Sequence, residues 1–144
     1  MNIQSFIEDF KKIKTVNEFQ TNIMYKVIWS IVNKSSSDLT YSGFDKLSHT
    51  NSSMIISNHR DILMDSAILQ ILLRDNNLDT SEITFGSNLM INDFIIDIGK
   101  MNKMFKIVRG GNIRDFYRNS MHVSAYMRYA ITEKKQSIWI AQRN

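Results

Sequence analysis

Apolar residues recur at helical spacing over residues 3 to 12 (Ile3, Phe6, Ile7, Phe10) and over 17 to 33 (Phe19, Ile23, Val27, Ile28, Ile31). Both segments are expected to form amphipathic helices. The second also carries Tyr25 and Trp29, which widen its apolar surface beyond one stripe, while Lys26 and Lys34 are available to an anionic surface. NKSSSDLT, residues 33 to 40, reads as a polar loop. LTYSGFDKL then predicts a short strand and a turn near Gly43, followed by a buried-type strand over Met54 to Ile56. After His59 the period changes. Ile62, Leu63, Ala67, Ile68, Ile71 and Leu72 fall at helical intervals, so residues 61 to 74 predict a helix with Asp61 in its first turn. EITFGS, FKIVRGG and QSIWIAQRN read as further strands, NLMINDFIIDIGKMNKM as helical or mixed, and NIRDFYRNSMHVSAYMRYAITEKK as a long helix.

Alternating strands and helices predict an α/β fold with a mixed, mostly parallel sheet covered by helices. One domain is expected over residues 1 to 144, with a helical segment over 1 to 38 and an α/β core over 39 to 144. An exposed last strand would favour pairing with another chain, but the sequence leaves the oligomeric state open.

Composition changes this picture in three ways. The chain has no cysteine, which removes disulfides, thiolate metal sites and thiol nucleophiles. The net charge of +4 suits an anionic ligand or surface, but no arginine stripe interleaved with stacking aromatics suggests nucleic acid. Neither a secretory signal nor a continuous apolar span is evident, so a cytoplasmic protein, soluble or peripheral to a membrane, is expected. No spacing suggests a metal site, and no glycine-rich nucleotide fingerprint occurs.

The candidate chemistry lies where strands give way to helices. In SMIISNHRDILMDSAIL, His59 follows a strand, and a neutral imidazole takes a proton from a hydroxyl when a carboxylate fixes its tautomer. Asp61 and Asp65 both qualify, four residues apart; Asp65 is the freer if Asp61 serves the helix amides. In VRGGNIR, Arg109 and Arg114 suit a phosphate, with Gly110 and Gly111 letting the backbone approach and a helix start adding a positive pole. His49 and His122 read as surface or structural histidines, and the nine methionines as core filler that would also suit a variable acyl chain.

MIISNHRDILMDSAIL resembles the first motif block of the glycerolipid acyltransferases, which act on glycerol-3-phosphate and lysophosphatidate: a strand ending in Asn-His with a carboxylate in the next turns. SGFDKL looks like the segment leading into it, KMFKIVRGG resembles the second block, and SIWIAQR looks like the strand opening the third. The blocks stand in the family's order over roughly residues 40 to 143. The resemblance implies acyl transfer from acyl-CoA or acyl-carrier protein, as co-substrate and without a cofactor, to a glycerol hydroxyl in phospholipid synthesis. His59 would be the general base, Asp65 its partner, and Arg109, with Gly110 and Arg114, would hold the acceptor phosphate at a membrane surface. Two departures stand out. The family's commonest spacing would put the carboxylate at Met64 rather than Asp65, and the chain ends before the Glu-Gly turn of the third block, so it reads as C-terminally incomplete. A non-catalytic domain binding lipid phosphate or acyl thioester is the alternative.

Overall fold

In the computed structural model, residues 3 to 142 are described. The chain divides into two units, Met1–Gly43 and Phe44–Asn144. The first is helical: α1 (Ile3–Lys12), a short α2 (Val16–Glu18), a π-helical segment (Phe19–Met24) and α3 (Tyr25–Ser35). Thr15 starts the second helical run through a capping box. Its hydroxyl accepts from the Glu18 amide while the Glu18 carboxylate accepts from the Thr15 amide, satisfying donors that a helix start leaves open. Lys26 pairs with Asp9 at 2.7 Å, and the rings of Phe10 and Phe19 meet edge to face at 6.2 Å.

The second unit is an α/β layer built on β1 (Met54–Asn58), β2 (Glu82–Gly86), β3 (Met104–Ile107) and β4 (Ile138–Gln142). The strands lie in the order β1-β4-β2-β3, and every pair is parallel. The helices α4 (Met64–Asp75), α5 (Asp93–Met101) and α6 (Ile113–Thr132) connect them. The expected α/β class therefore holds, with a wholly parallel sheet. Residues paired across parallel strands share a face, so Ile55, Trp139, Ile83 and Met104 form one row across all four strands. Gly99 of α5 packs against Phe85 on that same face: a Cβ at Gly99 would sit 3.0 Å from the Phe85 ring. A helix-interior glycine costs about 1 kcal/mol relative to alanine, and this close approach gives it a reason to be there.

The opposite face carries Glu82 and Phe105, and α6 covers them. Tyr126 donates to Glu82 at 2.7 Å and its ring lies 5.0 Å from that of Phe105. Glu82 is 5% exposed and also pairs with Lys134. A buried carboxylate is tolerated only when its charge is met, and here an ammonium and a phenol meet it. The hydrogen bond to Glu82 raises the Lys134 ammonium above its ordinary 10.5, and burial, with the bond to Glu82, pushes the Tyr126 phenol up. Both groups are held in their protonated form by the fold. The stability they contribute is therefore present below their unfolded values and lost as pH rises through the higher folded ones. Lys134→Met is expected to cost about 2 kcal/mol in urea unfolding at pH 7, by leaving Glu82 with one donor fewer. It should also flatten the loss of stability above pH 10.5; an unchanged denaturation midpoint would show that Tyr126 alone suffices.

Three expectations are corrected. Residues 39 to 47 form no strand: Gly43 has φ +87 and a 3₁₀ turn covers Phe44–Lys46. A strand needs a ladder partner, and β1 pairs only with β4 among the described residues. The last strand is not exposed at an edge, because β4 lies between β1 and β2. Finally, the helix after His59 starts at Met64 rather than at residue 61, for reasons that lie in the site itself.

Candidate functional site

A wholly parallel sheet puts the carboxyl ends of all its strands on one side, the usual place for ligands in open α/β sheets. β1 leads into His59, β2 into Ser87, and β3 through Val108 into Arg109. The AQR end of β4 reaches Gln142, and Arg143 lies outside the described residues.

The turn after β1 is organised by two carboxylates with different partners. Asp61 accepts from the amides of Leu63 at 2.9 Å and Met64 at 2.7 Å, which supplies acceptors for the start of α4. These bonds hold the Asp61 carboxyl below the ordinary carboxylate range. Asp65, in the first turn of α4, folds back over the same segment. Its Oδ2 accepts from the amides of Arg60 at 2.7 Å and Asp61 at 3.0 Å and lies 3.1 Å from Nδ1 of His59. Because one oxygen gathers three donors, the segment from His59 to Leu63 coils as a tight turn ahead of the helix. The two aspartates therefore do not share a helical face, and Asp65 is the one that meets the imidazole.

Burial works to raise the Asp65 carboxyl, and the two amide bonds and the His59 contact outweigh it, leaving it below its ordinary 3.8. A depressed carboxyl contributes stability that is present above the ordinary value and lost as pH falls through the lower folded one. Asp65→Asn retains an oxygen for the amides but loses the charge facing His59. It is expected to cost about 1 kcal/mol at pH 7 and to weaken the dependence of stability on pH below 3.8, measured by urea unfolding across that range. An acid limb as steep as that of the wild type would place the titrating group elsewhere.

With Nδ1 donating to Asp65, His59 presents Nε2 as a lone-pair acceptor, and no group among the described residues takes it. The ring stands edge to face against Trp139, centroids 6.2 Å apart. Trp139 is 3% exposed and donates through Nε1 to Ser57 Oγ at 3.0 Å. Trp139 and Ser57 were not expected from the sequence. They lie 82 residues apart, and only the β1–β4 register brings them together.

His59 and Arg109 line one cavity of about 210 Å³. Its walls are mainly apolar, with Ile83, Phe85, Ile98 and Met104 among them. Arg109 is exposed, its backbone amide donates to Ser87 Oγ at 3.0 Å, and no carboxylate pairs with it among the described residues. Gly86 accounts for the lie of its side chain: a Cβ there would meet Arg109 Nε at 3.1 Å and Asn88 Oδ1 at 2.7 Å. The guanidinium stem thus crosses the end of β2. Gly110 and Gly111 both have positive φ, +89 and +95, which glycine adopts without strain, and they turn the chain out of β3 toward α6. Arg114 is exposed in the first turn of α6 and is not among the residues lining the cavity, so the pair of arginines expected at one phosphate is not assembled there.

His49 Nδ1 lies 3.3 Å from the Asn77 carbonyl oxygen, to which it donates, and His122 is exposed on α6. Among the described residues, no group of three or more His, Asp or Glu side chains could hold a metal ion, and no helix is long and apolar enough to cross a membrane. No family model, curated protein or solved structure matches the chain.

Proposed function

We propose that the protein is an O-acyltransferase that moves a fatty acyl group from an acyl thioester, on coenzyme A or acyl-carrier protein, to a hydroxyl of glycerol-3-phosphate or lysophosphatidate. The observation that carries this reading is the His59–Asp65 pair, with Nε2 unpartnered, on the wall of an apolar cavity that Arg109 also lines. Nε2 accepts the proton of the acceptor hydroxyl as its oxygen attacks the thioester carbonyl, and Asp65 stabilises the imidazolium that forms. The carbon–sulfur bond then breaks, and the thiolate takes the proton from His59. The apolar walls take the acyl chain, and Arg109 binds the acceptor phosphate as a charge-assisted pair. Holding hydroxyl, base and carbonyl together replaces a bimolecular encounter by a nearly intramolecular step, worth several kcal/mol. The motif resemblance of residues 54 to 69 and 103 to 111 supports the same reaction. The proposed setting is the cytoplasmic surface of a membrane, where both the acyl donor and the lipid product are amphiphiles.

The test is thiol release from long-chain acyl-CoA with glycerol-3-phosphate or lysophosphatidate present or absent. Release that depends on the acceptor is the expected result. Thioester binding without release from folded protein would make the unit a binding domain on the same scaffold.

A further inference from the structure

β1 is an edge strand whose outer side is open. Among the described residues it pairs with β4 alone, and the amide of Ile138 donates to the Ser53 carbonyl at 3.0 Å, so the backbone groups of Ser53, Ile55 and Ser57 turn toward β4. Backbone groups alternate sides along a strand, which leaves those of Met54, Ile56 and Asn58 pointing outward. Among the described residues no group outside β1 bonds to them; the Asn58 carbonyl accepts only from the neighbouring Ser57 hydroxyl, at 3.0 Å. The side chains of Met54 and Ile56 lie on the α6 face of the sheet, in register with Ile138 and Ile140, and are 45% and 54% exposed there. Sheet edges are normally blunted by a charge, a proline or a bulge, and MIISN has neither charge nor proline. β3, the other edge, is one residue shorter and carries an exposed Lys106.

We infer that β1 pairs with β1 of a second copy, antiparallel, about a two-fold axis that passes through Ile56 perpendicular to the sheet. Met54 then exchanges backbone bonds with Asn58 of the second copy, Ile56 with its own counterpart, and Asn58 with Met54 of the second copy, so the two sheets become one. What selects a second copy is that the open residues are spaced evenly about Ile56: the edge is its own complement, as an isologous contact requires. Residues opposite each other share a face, so the two Ile56 side chains meet with their Cα atoms about 5.5 Å apart and Met54 of each copy on the diagonal. The exposed apolar pair of each strand is thereby covered by that of the other. Charge does not oppose this register. Continued past the strand ends, it sets His59 beside Ser53 and Arg60 beside Ser52 of the second copy, so no like charges meet. Pairing β1 with β3 of another copy instead brings in Lys106 and runs head to tail. The pairing holds whatever reaction His59 serves.

Ile56→Lys and Ile56→Glu test both the strand and the axis, because the side chain is exposed and the circular dichroism of each variant should match wild type. Sedimentation velocity from about 1 to about 100 µM brackets the micromolar dissociation constant expected of a small interface. The wild type is expected to dimerise in this range. Each variant alone opposes like charges across the axis, and its dissociation constant should rise about tenfold or more. An equimolar mixture of the two variants should regain the dimer, since opposite charge rescues only a residue that faces its own counterpart. In the wild type itself, the amides of Met54 and Ile56 should gain hydrogen-exchange protection over the same concentrations. A wild type that stays monomeric throughout overturns the inference and leaves the edge to a strand of another protein. So does a dimer that both variants retain, a mixture that associates no better than the variants apart, or a wild-type dimer in which the two amides stay unprotected.

Discussion

His59→Ala is expected to lower acceptor-dependent thiol release by roughly 100- to 10,000-fold, the range that a positioned general base supplies. The protein should remain folded, because the imidazole is only partly buried and its loss removes one hydrogen bond, to Asp65, and an edge contact with Trp139. The cost in stability is about 1 kcal/mol, read from urea unfolding. Asp65 keeps its two amide donors in the variant, so the turn from His59 to Leu63 has its organising acceptor without the ring. This separates the base from the scaffold that holds it. Asp65→Asn weakens both, whereas His59→Ala should spare the turn and remove the chemistry. Turnover retained within a factor of a few in a folded His59→Ala protein would sink the general-base assignment, whatever its effect on stability.

The junction at His59 was legible in the sequence because two periods meet there: a short apolar run of strand type stops at Asn58 and helical spacing starts within five residues. The roles of the two aspartates were less legible. Positions four apart share a face only if both lie in the helix, and the side chains themselves decide that they do not. Asp61 and Asp65 capture the amides of residues 60 to 64 and hold the segment in a turn. The same bonds give a carboxylate one position later than Met64 a way to reach the imidazole. Strand order is a different case. No local pattern places β4 between β1 and β2, since that follows from which apolar rows pack together across the sheet. Trp139 and Gly86 were missed for this reason, as each acts on a residue distant in the chain. The π-helical stretch Phe19–Met24 escaped because six residues are too few to distinguish its period from that of an α-helix.

Arg109→Ala is expected to raise the acceptor concentration for half-maximal rate by roughly 10- to 100-fold, with little change for the acyl donor, because a charge-assisted bond to phosphate contributes about 1.5–3 kcal/mol. The sheet makes the geometry demanding. His59 follows one edge strand and Arg109 the other, three strand spacings apart, or about 14 Å between axes. The path of the Arg109 side chain across Gly86 spans the first of those spacings, leaving about 10 Å for the remaining two side-chain reaches and the acceptor between them. A Cβ at residue 86 obstructs that path. Gly86→Val should therefore reproduce part of the acceptor defect while Arg109 is intact, and adding Arg109→Ala to it should produce less than the sum of the two effects. Fully additive losses would show that Gly86 acts on something other than the reach of Arg109. An unchanged acceptor dependence in Arg109→Ala itself would remove the phosphate from this end of the cavity.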